Sequence, residues 1–134
     1  MSKRKKITLI IIALVLVLAA VGGGAYIVVK NNQKTVYAID IQDVDLALVQ
    51  NGTYVGEYNA FPVSAKVEVT VTDHRITAID LIKHNNGQGG DAEVIPQMVV
   101  DAQSLQVDTV SGATFSSKVI LLAIQNALQN AVGE

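Results

Sequence analysis

The chain has 134 residues, half of them hydrophobic, with ten Lys or Arg against twelve Asp or Glu and a formal net charge of −2. That length allows one modest domain and an appendage. From Asn31 onward the chain holds five basic and all twelve acidic residues, a formal charge of −7, which argues against nucleic acid as a partner and opposes contact with anionic lipid headgroups. The absence of cysteine excludes disulfides, thiolate-ligated iron–sulfur clusters, thioether haem attachment and a lipid-modified N-terminal cysteine. With no Trp and two Phe, the core must be built from Val, Ile, Leu and Ala.

Residues 1–6 carry the basic cluster Lys3-Arg4-Lys5-Lys6, followed by Ile7 to Val29, an uncharged run of 23 residues. As a helix this run is about 35 Å long, enough for a bilayer core of about 30 Å. The basic cluster predicts a cytoplasmic N-terminus and an extracytoplasmic remainder. Gly23 and Ala25 have the small-residue spacing of a signal-peptidase site, but the apolar run continues past them through Val29, so the expectation is a retained anchor rather than a cleaved leader. Lys30 to Lys34 is polar and reads as a short linker within 30–50, where Asp43 or Asp45 is placed to cap a short helix ending at Asn51-Gly52.

From residue 51 to 134 the patterning predicts a small α+β domain. Thr53 to Tyr58 reads as a strand with Tyr54 and Tyr58 on one face. Val63, Ala65, Val67, Val69 and Val71 alternate with polar residues, as a half-buried strand does. Asp73-His74 then turns the chain into a second strand of an antiparallel hairpin, Arg75 to Lys83. His84 to Gly90 is a glycine-rich loop without the Lys and Ser/Thr of a phosphate loop. Asp91 is expected to cap a helix to about Ala102 with Val94, Met98, Val99 and Ala102 inward, although Pro96 threatens to kink it or move its start. Leu105 and Val107 suggest a short strand. Ile120, Ile124, Ala127, Leu128 and Ala131 recur at helical spacing, so Lys118 to Val132 reads as an amphipathic helix on an antiparallel sheet.

Between the last two elements lies the stretch with the most chemistry, Asp108-Thr109-Val110-Ser111-Gly112-Ala113-Thr114-Phe115-Ser116-Ser117. Small residues around Gly112 permit a tight turn and leave the Thr114 hydroxyl accessible. Ser116 or Ser117 offers an N-cap for the helix expected near Lys118. Unpaired N–H groups at such a helix start hold a phosphate without a dedicated lysine. Elsewhere no Asp, Glu or His constellation has triad or metal-ligand spacing, and His74 and His84 fall on a predicted hairpin.

Asp108 to Thr114 resembles the Asp-x-x-Ser/Thr-Gly-Ala-Thr flavinylation motif of FMN-binding domain proteins, a family that includes the flavin-carrying subunits of the sodium-pumping NADH:quinone oxidoreductase and of the Rnf complex. The resemblance runs from about Asn51 to Ala131. It implies FMN joined through its phosphate to Thr114 by a separate flavin transferase that uses FAD as donor, with Ser111, Gly112, Ala113, Ser116 and Ser117 around the attachment point. It further implies that Asp108 helps define the transferase site, the alternative being a turn-capping Asp. The loop from His84 through Gly87 and Gly89 to Gly90 would lie near the flavin, the alternative for His84 being an exposed strand-end histidine.

On this reading the protein is a single-pass, membrane-anchored electron carrier more than a stand-alone enzyme. It would take electrons from a membrane donor such as a quinone-linked dehydrogenase and pass them to an outer acceptor. A flavin-free accessory domain of a membrane redox complex and a flavin-dependent reductase are the competing readings. So small a domain leaves little room for a substrate pocket beside a flavin, which disfavours the reductase.

Overall fold

The structure, a computed structural model, describes residues 1–85 and 89–132. Its elements are α1 (Lys3–Ala38), β1 (Gly52–Ala60), β2 (Val63–Thr72), β3 (Arg75–Asn85), α2 (Ile95–Ala102) and α3 (Thr114–Val132), with 3-10 turns at Leu46–Leu48 and Gly90–Val94. This is the expected α+β arrangement: an antiparallel sheet in the order β1-β2-β3, covered by helices and preceded by one long apolar helix.

The hairpin follows its sequence pattern. Val63, Ala65, Val67, Val69 and Val71 are buried on one face of β2. Asp73 and His74 both take positive φ, 52° and 61°, the backbone that a two-residue turn needs to match the twist of its strands. The turn is pinned from outside: Asp73 N donates to Asn51 Oδ1 at 2.7 Å, and His74 Nδ1 lies 3.1 Å from the carbonyl oxygens of Leu46 and Val49. Asp45 caps the intervening 3-10 turn, accepting from Ala47 N.

Helix α3 lies on the sheet and is buried on most sides. Val119 to Ile124, Ala127 and Leu128 are all within the core, so the single apolar stripe expected of it is too narrow a description. Each fully buried Ile or Leu contributes about 1.5–3 kcal/mol. The contact is close because β1 carries Gly56 on its inner face. A Cβ there would collide with the Ala123 carbonyl and the Ala127 amide nitrogen, and would stand 2.8 Å from Ala127 Cβ. Glycine in a strand often marks such an approach of another backbone. Asn126 Nδ2 donates to Glu57 O beside it. Residues 112–116 at the start of α3 share a cavity with Pro62 and Val63, so the helix runs antiparallel to β1.

Several local expectations are corrected. Lys30 to Lys34 is helical, because α1 continues without a break to Ala38. Its last turns are docked: Val36 is buried, Asn32 Nδ2 donates to Phe61 O at 2.7 Å, and Lys118 Nζ donates to Tyr37 O and Ile39 O. This lysine from α3 satisfies carbonyls at a helix end that has no basic residue of its own. Strand β3 extends past Lys83 to Asn85, which makes His84 a strand residue. Helix α2 begins at Ile95, with Pro96 in its first turn, after a 3-10 turn in which Asp91 is not the cap. Ala92, Ile95 and Val99 face inward, while Val94 and Ala102 are exposed.

No strand forms at Leu105 and Val107, and the edge they would pair with shows why. Gln103, left-handed at φ 54°, gives its side-chain amide to the backbone of Ile76 in β3: Ile76 N donates to Oε1 at 2.8 Å and Nε2 donates to Ile76 O at 2.7 Å. One amide side chain does there what a fourth strand would have done. Residues 104–106 are instead stitched to the segment after α1, through Leu105 N and Ser104 Oγ to the Asp43 carboxylate and Gln106 Nε2 to Ile41 O.

Gly56→Ala is expected to destabilise the domain by about 2–3 kcal/mol by forcing α3 off the strand, read as a lowered midpoint of urea unfolding by circular dichroism. Gln103→Gly keeps a backbone that accepts positive φ and deletes the side chain with its amide. Its expected cost of about 1–3 kcal/mol would be read the same way, with early amide exchange at Ile76.

Candidate functional site

The motif stretch forms a turn that delivers the chain into α3. Ala113 N donates to Val110 O at 2.9 Å, and between them Gly112 has φ 80°, as a type II turn requires of its third residue. Nothing lies within 4 Å of a Cβ at Gly112, so the glycine is needed for its backbone angle and not for space. The helix begins at Thr114, four residues before the expected start. Ser116 and Ser117 are therefore buried first-turn residues and do not cap it. Ser117 works backward instead: its Oγ accepts from Val110 N at 3.0 Å and donates to Ala113 O at 2.7 Å. A single buried hydroxyl thereby closes the turn onto the helix.

With this start, the amides of Thr114, Phe115 and Ser116 occupy the first turn, where N–H groups have no intrahelical acceptor. The first bond into the helix comes from Ser117 N to Ala113 O. The Thr114 side chain is exposed, while Ala113 before it is buried. Around this point is an open cavity of about 470 Å³ lined by Gln33, Tyr37, Pro62, Val63, Gly89 and residues 112–116. Its size falls within the range of about 300–1,000 Å³ usual for small-molecule sites. Tyr37 and Phe115 meet edge to face on its wall, ring centroids 5.8 Å apart.

Of the residues singled out in the sequence, Gly112, Ala113, Thr114, Ser116 and Gly89 come together in this cavity. Ser111 is exposed on the turn, and Ser117 lies beneath it. Asp108 is exposed and lines a separate depression with Met98, Asp101 and Gln106. Gly87 lies outside the described residues. His84 pairs with Ala65 across the ladder, at the same end of the sheet as the cavity. Its side chain is only 1% exposed and its Nδ1 is 3.2 Å from Glu93 Oε1, which corrects the picture of a solvent-exposed strand-end histidine. Strand pairing turns it to the core face that Ala65 occupies.

Sequence reasoning missed Gln33, Tyr37, Pro62 and Val63 as lining residues; Phe115 is one of the residues flanking Thr114, from which ring contacts are expected. For Gln33 a signal was present: it falls at helical spacing between Val29 and Val36, a stripe that continues the apolar helix rather than ending it.

The residues present fit a flavin phosphate ester. There is an exposed hydroxyl at a helix start, unpaired amides beside it for the phosphate, small residues that let a ligand approach the backbone, and aromatic side chains for a flat ring. Over 85 residues the chain is 36% identical to the NADH:acrylate oxidoreductase of Vibrio harveyi, an alignment covering 58% of this chain and 8% of that protein. The chain thus spans less than a tenth of that relative's length. Residues 63–129, half the chain and the part that contains the hairpin, the turn and most of α3, match the FMN-binding domain, and the protein belongs to that family.

Proposed function

We propose that the protein is a membrane-anchored flavoprotein that carries FMN covalently on Thr114, on the extracytoplasmic side, and relays electrons between a membrane donor and an outer acceptor. The observation that carries this reading is Thr114 itself: the first residue of α3, exposed, and within the cavity of a chain whose family binds FMN. Among the described residues nothing near Thr114 activates its hydroxyl, so a separate transferase supplies the catalysis. In that step the Thr114 oxygen attacks the FMN phosphorus of FAD. An O–P bond forms, the pyrophosphate bond breaks, AMP leaves, and the hydroxyl proton passes to the transferase or to water.

The chain's own contribution is attachment and environment. The first-turn amides and the positive end of the α3 dipole stabilise the phosphodiester charge. The Ser117 bonds keep Thr114 on the helix start. The flavin, once bound, supplies exchange of one or two electrons. Helix α1 is long and apolar enough to cross a membrane. The four basic residues ahead of its apolar run favour a cytoplasmic N-terminus, and a covalent bond would prevent loss of cofactor to dilution outside.

After co-expression with a flavin transferase, the denatured wild-type protein should show flavin fluorescence and an intact mass raised by one FMN. Thr114→Ala should show neither, and Ser117→Ala, with the acceptor hydroxyl kept but its turn loosened, should be modified to a reduced extent. A colourless, unmodified wild type would reject the reading in favour of a flavin-free accessory domain. A carrier should also reduce several acceptors in order of potential, whereas turnover with a single acceptor would identify a reductase.

A further inference from the structure

The cavity at Thr114 has a wall that the FMN-binding match does not include. Gln33 and Tyr37 come from α1, ahead of the matched residues 63–129, and stand four residues apart on one face of that helix. The helix is continuous from the apolar run into these turns. From Val29 the rise to Gln33 is about 6 Å and to Tyr37 about 12 Å. These turns are held to the domain at several points: buried Val36, the Asn32 bond to Phe61 O, the Lys118 bonds to the end of the helix, and the Tyr37–Phe115 ring pair. Yet the Tyr37 side chain is half exposed. It is held on one side by Phe115, the residue next to Thr114, while about half of it stays open to the cavity and to solvent.

Resting on the reading that Thr114 carries FMN, we infer that the last two turns of the membrane helix form part of the flavin site, with Tyr37 as the aromatic side chain against which the isoalloxazine ring lies and Gln33 as the polar neighbour one turn closer to the membrane. A ring tethered at Thr114 finds in Tyr37 a partly dehydrated aromatic surface already held in place. Stacking against it removes apolar area from water on both sides. The anchor is then more than a tether. By rigid continuation it holds the redox group within a few helical turns of the apolar span, so a partner embedded in the same membrane can reach it.

The test uses the full-length chain, flavinylated by co-expression and purified in detergent, comparing wild type, Tyr37→Phe and Tyr37→Ala. A phenol in contact with an excited flavin quenches its emission by electron donation, which a phenyl group does not do. Native wild type should therefore be weakly fluorescent relative to the same protein after denaturation. Tyr37→Phe, which keeps the ring contact with Phe115 and the fold, should recover native emission severalfold, and Tyr37→Ala should in addition shift the flavin absorption bands. Native emission unchanged in both variants, with full flavin content on denaturation, would overturn the inference and leave the covalent reading intact. A wild type that shows no flavin after denaturation would overturn both.

Discussion

The arrangement depends on one close approach, the backbone of α3 against Gly56 of β1. Because no Cβ intervenes, the helix sits low enough on the sheet to bury Val119 to Ile124 together with Ala127 and Leu128. A chain with few aromatic residues has no large side chains to fill a wider gap, so dense packing of Val, Ile, Leu and Ala requires the layers to be near each other. Two positions together give the direction of α3: residues 123–127 stand at Gly56, and residues 112–116 share a cavity with Pro62 and Val63. Running antiparallel to β1, the helix must start beside the turn that joins β1 to β2, and the motif stretch that precedes it is carried there.

Three separate parts of the chain then meet at one end of the domain: the end of α1, the β1–β2 turn and the start of α3. Polar bonds tie the end of α1 to the other two parts and close the chain into α3. Asn32 reaches Phe61 O, Lys118 reaches the last carbonyls of α1, and Ser117 closes the turn at Val110 and Ala113. Each of these bonds satisfies a backbone group that secondary structure leaves unpaired at an element's end, where an unmet donor or acceptor is costly. The cavity is what remains where three element ends meet and none covers the others. This is why small residues and exposed backbone gather there, and why a phosphate ester can approach.

Much of this was legible beforehand, and the reasons differ from element to element. The Val63–Val71 alternation and the Asp73-His74 turn depend on local rules, period-two burial and left-handed turn residues, so they read correctly. Gly112 was legible because a tight turn needs its backbone freedom, whereas Thr114 was singled out through the resemblance to the flavinylation motif. The start of α3 was misread because serines are good caps in isolation. Here Ser117 faces inward to a backbone amide seven residues earlier, a contact that the turn creates. The missing strand at Leu105 has a similar origin: whether an extended segment joins a sheet depends on whether the edge is open, and Gln103 has taken it. Tyr37 was passed over because Lys30 to Lys34 looks like a polar linker when its packing partners on β1 and α3 are not known.

The sequence by itself determined the long apolar helix, the alternating strands, the acidic character of the folded part and the hydroxyl-rich glycine turn. Each of these follows from hydropathy, charge or backbone freedom within a few neighbouring residues. Only the tertiary structure decided that the long apolar helix continues into the domain, that His84 turns inward to Glu93, and which distant side chains surround Thr114. Those outcomes rest on contacts between residues dozens of positions apart, and their free energy exists only once α3 has settled on Gly56 and brought the element ends together.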